Sequence, residues 1–170
     1  VLRPAVRTYT RFMKIVRIDL NDERHRAGLC EQLNAYARSE TGMGAALPDP
    51  TLQSLPDQLA ACPTYIGLLA WQDERAVGLL NAFWSVSTFK ARPLINVHDL
   101  AVDASQQGRG IGSALLAELE HIGRQMHCCK LTLEVLEGNT GASALYKRLG
   151  FEFYQLDPAY GDARFMQKML

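Results

Sequence analysis

Three glycines at alternate positions, Gly108, Gly110 and Gly112, follow Gln107 in the run DLAVDASQQGRGIGSALL. They stand where an apolar strand pattern ends and a strongly periodic helix pattern begins. Glycines at such a junction remove side chains where backbone N–H groups converge on a helix N-terminus. That arrangement receives phosphate oxygens, helped by the positive end of the helix dipole. Arg109, inside the turn, can add charge to it. The spacing selects among phosphate ligands. A nucleotide-hydrolysing P-loop needs GxxxxGK[ST], and no lysine follows these glycines. A dinucleotide fingerprint needs GxGxxG or GxGxxA; counting from Gly108 meets Ser113, and from Gly110 meets Leu115, so both registers fail. The pattern that fits is QxxGxG, at Gln107, Gly110 and Gly112. A purely structural strand-to-helix turn is its plainer reading.

The cysteines offer less. Cys30, Cys62, Cys128 and Cys129 form no CxxC pair, and adjacent residues do not easily supply two ligands to one zinc. They read as reduced thiols of a cytoplasmic protein, and no metal site is expected.

The elements that must position the turn follow from hydrophobic periodicity. Residues 14–18 read as a strand. Residues 22–39 read as a helix with Leu29, Leu33, Tyr36 and Ala37 on one face and Asp19 or Asn21 near its cap. The Gly/Pro stretch TGMGAALPDP is a loop, and residues 51–62 a short helix that Pro56 limits. TYIGLLAW and RAVGLLNAFWSVSTF flank the polar turn Gln72-Asp73-Glu74 as a hairpin. PLINVHDLAV is a further strand. Residues 110–127 form the strongest helix, with Ile111, Leu115, Leu116, Leu119, Ile122 and Met126 at helical spacing. LTLEVL is a strand, 140–149 a helix, and FEFYQL and RFMQKML are expected to close the fold as strands. Residues 1–12, with Arg3, Arg7 and Arg11 and no acid, are expected to be an N-terminal extension outside the fold. Residues 13–170 are expected to be one mixed α/β domain.

Composition excludes several function classes. The 170 residues suit about one domain. Lys plus Arg (18) balances Asp plus Glu (18), so no global field recruits nucleic acid or an anionic membrane. No apolar run approaches the length of a membrane span. The N-terminus lacks an apolar core segment, so no secretory leader is expected.

A second segment, LEVLEGNTGASALYKRLGFEFY, lies beyond the glycine turn. The two together, in this order and spacing, resemble the GNAT superfamily of N-acetyltransferases, most closely over about residues 94–154. The resemblance implies a mixed, mostly antiparallel central sheet flanked by helices (α/β, α+β), with a splayed parallel pair at the coenzyme cleft. It implies acetyl-coenzyme A as acetyl donor and direct, sequential transfer to a primary amine, either a small molecule or the Lys of a peptide. By that likeness the main-chain amides of Gly108, Arg109, Gly110, Ile111 and Gly112, with Gln107 and Ser113 at the ends, hold the coenzyme pyrophosphate. Leu100, Ala101 and Val102 run beside the pantetheine, and an amide near Val102 polarises the thioester carbonyl. Asn139 matches a coenzyme-contacting asparagine. Tyr146 matches the tyrosine near the thioester sulfur that acts as general acid; its plainer reading is a packing residue on the face of Ala142, Leu145 and Leu149.

The chemistry makes these roles reasonable. An alkylamine has a pKa of about 10.4, so only about one molecule in a thousand is neutral at pH 7, and a base must remove the proton. The developing oxyanion needs a fixed donor, which a strand amide supplies. A phenol of pKa about 10 can protonate a leaving thiolate. For the base, the chain offers His98 and Asp99, where many relatives carry a glutamate. Adjacent strand residues point to opposite faces, so only one serves the acceptor unless a bulge intervenes. Imidazole has the better ordinary pKa, about 6.5. Glu134 is a lesser candidate, and an acetyl-cysteine on Cys128 or Cys129 is disfavoured because both precede their strand.

STFKARPLINVHDLAV also resembles the diamine and polyamine acetyltransferase branch, which usually has Glu-Asp where this chain has His98-Asp99. Glu40 and Asp49 in the loop after the first helix are candidate cation contacts, and Tyr36, Trp84 and Phe89 candidate pocket walls. The resemblance further implies a homodimer through the C-terminal strands. A non-catalytic acyl-coenzyme A binding module is the alternative; nucleotide binding through the glycine turn is a weaker one.

Overall fold

The computed structural model describes residues 7–10, as backbone, and 13–154, 157, 159 and 165–169. They fall into two compact units, 1–134 and 135–170.

The first unit is built on one six-stranded sheet whose spatial order equals its chain order. Strands β1 (Arg7–Thr10), β2 (Met13–Arg17), β3 (Tyr65–Gln72), β4 (Arg75–Ser87) and β5 (Arg92–Val102) pair antiparallel in succession. The last strand, β6 (Leu131–Leu133), pairs parallel with β5. The expectation that residues 1–12 lie outside the fold does not hold for Arg7–Thr10, which pair with β2. Thr-Tyr-Thr has strand-forming side chains, and charge composition alone hid that.

Helix α1 (Glu23–Ala37) is capped by Asp22, whose Oδ1 accepts from the Arg24 amide at 2.8 Å. The expected caps, Asp19 and Asn21, instead bond to each other in the preceding turn. Helix α2 (Asp49–Ala60) carries Pro50 in its first turn and runs through Pro56. Arg26 of α1 ties to Asp57 of α2 at 2.7 Å. Both helices cover one face of the sheet, where Leu29 and Leu59 pack with Leu69, Leu79 and Ala101. Helix α3 (Ile111–Gln125) lies on the other face. Gly78 is the reason it lies so close: a Cβ there would stand 2.9 Å from Ile111 Cγ2 and 3.3 Å from Leu115 Cδ1. The side chains of Ile15, Ile66, Leu68, Leu80, Ile95, Leu115 and Leu119 are fully buried. At about 1.5–3 kcal/mol each relative to exposure, they are the main source of stability.

The second unit holds α4 (Thr140–Arg148), capped by Asn139, whose Oδ1 accepts from the Ala142 amide at 3.1 Å. The strands expected in FEFYQL and RFMQKML do not form over Phe151–Tyr154 or Phe165–Met169. Phe153, Phe165, Met166 and Met169 are largely exposed, so the apolar alternation there is not spent on a core. The remaining residues of both segments lie outside the described residues.

Candidate active site

Strand β5 carries the site through a break in its own ladder. Opposite β4, Asp99 pairs with Asn81 and Val97 with Ala82, so His98 is an extra residue in the strand. This bulge removes the strict alternation that would set His98 and Asp99 on opposite faces. The parallel pairing with β6 covers only Ile95, Asn96 and Val97. From Asp99 to Val102 the strand pairs, among the described residues, with β4 alone, so the outer backbone edge beside Leu100, Ala101 and Val102 has no strand partner among them. Bulge and splay therefore begin at the same residue.

The glycine turn follows directly. The Asp103 amide donates to Val77 O at 3.0 Å, closing the strand. Asp103 Oδ1 accepts from the Ser105 hydroxyl at 2.6 Å and amide at 2.9 Å, and Oδ2 meets Arg75 at 2.7 Å. The Ser105 bonds, seconded by the Arg75 charge, hold the Asp103 carboxyl below the usual carboxylate range. Gln107 Nε2 lies 3.5 Å from Val102 O, across the mouth of the turn. Gly108 (φ +76°) and Gly110 (φ +82°) adopt left-handed conformations, and a Cβ on either would meet no atom within 4 Å. Gly110 caps α3, whose first helical bond runs from the Ala114 amide to Gly110 O at 3.0 Å. The amides of Ile111, Gly112 and Ser113 therefore face outward from the helix start. No acid occupies this first turn, so no carboxylate competes for it. Gln107, Gly108, Arg109 and Gly110 are exposed, while Ile111 and Gly112 are buried. The arrangement presents main-chain N–H groups at a helix start, where phosphate oxygens can bind.

Asp99 opens onto the α1/α2 face. Its Oδ2 accepts from Asn81 Nδ2 at 2.9 Å, and Asn81 Oδ1 accepts from the Tyr65 hydroxyl at 2.8 Å. Burial, and then the Asp99 charge, push the Tyr65 phenol well above its ordinary range. Tyr36, half-buried on α1, is raised by the same two causes in the same order. His98 is exposed and stands edge-on to Phe83 with ring centroids 5.7 Å apart; Phe83 in turn packs on Tyr65.

Other candidates are placed less favourably. Glu40 and Asp49 are exposed, the latter in the first turn of α2. Phe89 is 95% exposed in the β4–β5 turn, and Trp84 is half-buried opposite Ile95. Glu134 is exposed just past β6. Cys128 and Cys129 sit in the α3–β6 turn, where burial raises the Cys128 thiol. In the second unit, Asn139 caps α4, and Tyr146 is half-buried with its ring 5.8 Å from that of Phe151. No group of three or more metal-ligating side chains occurs among the described residues. No helix among them is long and apolar enough to cross a membrane. Tyr65 and Asn81 escaped the sequence reading because both lie in runs read only as the apolar strands of a hairpin. A lone asparagine inside the apolar run GLLNAF was the signal.

The Acetyltransferase (GNAT) family profile matches residues 29–151, well over half of the sequence and including both the glycine turn and α4. The chain belongs to the GNAT acetyltransferase family. It is 37% identical over 93 residues to the mycothiol acetyltransferase of Mycolicibacterium vanbaalenii, covering 52% of this chain and 30% of that protein. It is likewise 37% identical over 74 residues to the thialysine N-epsilon-acetyltransferase of Bos taurus, covering 44% and 43%. The match thus spans less than half the length of either relative. The GNAT fold extends over nearly the whole chain. The structure of AAC(6')-Iy in complex with the bisubstrate analog CoA-S-monomethyl-acetylneamine superposes with a TM-score of 0.73 at 17% identity, covering 93% of this chain and 99% of that one.

Proposed function

We propose that the chain is an acetyl-coenzyme A-dependent N-acetyltransferase that moves an acetyl group directly to a primary amine. The observation that carries this reading is the coincidence, at one end of β5, of an open strand edge and a glycine-capped helix start. Acetyl-coenzyme A supplies the activated thioester. The amides from Gly108 to Ser113 bind its pyrophosphate, with Arg109 beside them. The open edge from Leu100 to Val102 aligns the pantetheine, and the Val102 amide donates to the thioester oxygen. Asp99 receives the acceptor ammonium, and His98, directly or through water, takes its proton. The amine nitrogen then bonds to the acetyl carbon as the carbon–sulfur bond breaks. Tyr146 protonates the departing sulfur, a role supported by its match to the family tyrosine, and Asn139 contributes to coenzyme binding on the same ground.

The curated relatives named for mycothiol and thialysine support a small-molecule amine as acceptor; a Lys-bearing peptide is the other form of the same chemistry. Residues 13–170, with β1 paired onto β2, are read as one acetyltransferase domain. A cytoplasmic setting, read from the four free thiols, and a homodimer belong to the same proposal.

The test is thiol release from acetyl-coenzyme A against spermidine, short diamines, amino acids, aminoglycosides and Lys peptides, with a no-acceptor blank. Acceptor-dependent release supports the transferase. A ligand at 100 times its dissociation constant adds about 2.7 kcal/mol, so coenzyme binding is readable as a melting shift. A shift without release favours the non-catalytic binding module. Neither release nor shift overturns the phosphate-turn reading.

A further inference from the structure

We propose that Tyr65 and Asn81 are positioning residues that hold the Asp99 carboxylate in place to receive the ammonium group of the acceptor. This rests on the acetyl-transfer reading above. The geometry begins with sheet register: Gly67 pairs with Asn81 across β3–β4, and Asn81 pairs with Asp99 across β4–β5. Three directly opposed residues share one face, the face under α1 and α2. The first of them is a glycine, and the Tyr65 side chain takes the space. A Cβ at Gly67 would lie 2.1 Å from the Tyr65 hydroxyl and 2.6 Å from Cζ. The phenol thus lies along its own strand over Gly67 and reaches Asn81.

The hydrogen bonds then have one direction. The Tyr65 hydroxyl donates to Asn81 Oδ1, so the Asn81 amide must present Nδ2 to Asp99, and Oδ2 accepts. Asn81 is only 3% exposed, so its orientation is not shared with solvent. Burial keeps the phenol protonated, which makes it a constant donor. Asp99 Oδ1 has no hydrogen-bond partner among the described residues and is left to accept. The Asp99 charge is felt by the Tyr36 and Tyr65 phenols, and Phe83 packs on Tyr65, so the row adjoins aromatic side chains. A core built for stability alone would fill this row with aliphatic side chains, as its neighbour Leu69–Leu79–Ala101 does. The row turns polar at the bulge, where a carboxylate is needed.

The experiment is a double-mutant cycle with Tyr65→Phe and Asp99→Asn, read as steady-state kinetics with the panel amine that the wild type acetylates fastest. Asp99→Asn is expected to raise the KM for that amine at least tenfold. Tyr65→Phe is expected to raise it three- to tenfold with the KM for acetyl-coenzyme A unchanged, and to add less than twofold in the Asp99→Asn background. Equal factors in both backgrounds overturn the relay and leave acetyl transfer standing. An unchanged amine KM in Asp99→Asn removes Asp99 from acceptor binding and the relay with it. A readout independent of any acceptor is the Asn81 side-chain amide in 15N-edited spectra. Tyr65→Phe and Asp99→Asn should each shift its proton signals; signals that stay fixed overturn the proposal.

Discussion

Asn81 donates to Asp99 over 2.9 Å at the last regular pair of the β4–β5 ladder before the extra residue His98. A buried amide and a half-buried carboxylate thus mark the place where the sheet stops being uniform. On one face lies the Asp99 row, and on the other α3, which rises from the glycine turn.

Gly67 is the steric condition for that row. Gly67→Ala drives a methyl group into the Tyr65 phenol and against Ile18 Cδ1, 2.8 Å away. Overpacking of this kind costs about 1–3 kcal/mol. The expected outcome is a lower unfolding midpoint together with a raised KM for the amine; an unchanged midpoint contradicts the packing described.

Gly110 is demanded by conformation rather than space. With φ at +82° and open surroundings, an added methyl group meets nothing but carries the left-handed penalty of about 1–2 kcal/mol. Gly110→Ala should lower the melting temperature by about 2–8 °C and weaken coenzyme A binding, as calorimetry would show. Intact stability and affinity would mean that the helix start adopts another conformation.

The glycine turn was legible in the sequence because its chemistry is main-chain chemistry, and glycine spacing writes main-chain conformation directly. The α1–α3 helices and the β3–β4 hairpin were legible for a similar reason: period and turn residues are local. The bulge at His98 was not, because register is a relation between strands and no residue in PLINVHDLAV announces it. Tyr65 and Asn81 were missed since a polar relay across three strands depends on which residues face each other. The alternation over Phe151–Tyr154 misled in the other direction, since alternation alone does not supply a partner strand.

We propose that Tyr146 carries the leaving-group step. Tyr146→Phe removes one hydroxyl and should lower kcat by about 10²–10⁴ while acetyl-coenzyme A still raises the melting temperature. Unchanged turnover would return Tyr146 to a packing role beside Phe151.

Acid sensitivity should trace in part to Asp103. Its carboxyl titrates below the ordinary 3.8 when folded, through the Ser105 bonds first and Arg75 last. A depressed carboxylate contributes stability above its unfolded value, and that contribution is lost as pH falls through the folded one. Asp103→Asn should therefore be less stable than wild type near neutrality and show a shallower stability loss below about pH 4. Denaturant unfolding at a series of pH values reads this, and parallel curves would contradict it.

The most direct test of acetyl transfer without a covalent enzyme intermediate is an initial-rate matrix, with acetyl-coenzyme A and the best panel amine both varied. Sequential transfer in a complex of both substrates predicts reciprocal plots that intersect. Parallel lines would reveal an acetylated enzyme, and thiol release that ignores the amine would contradict the transferase altogether.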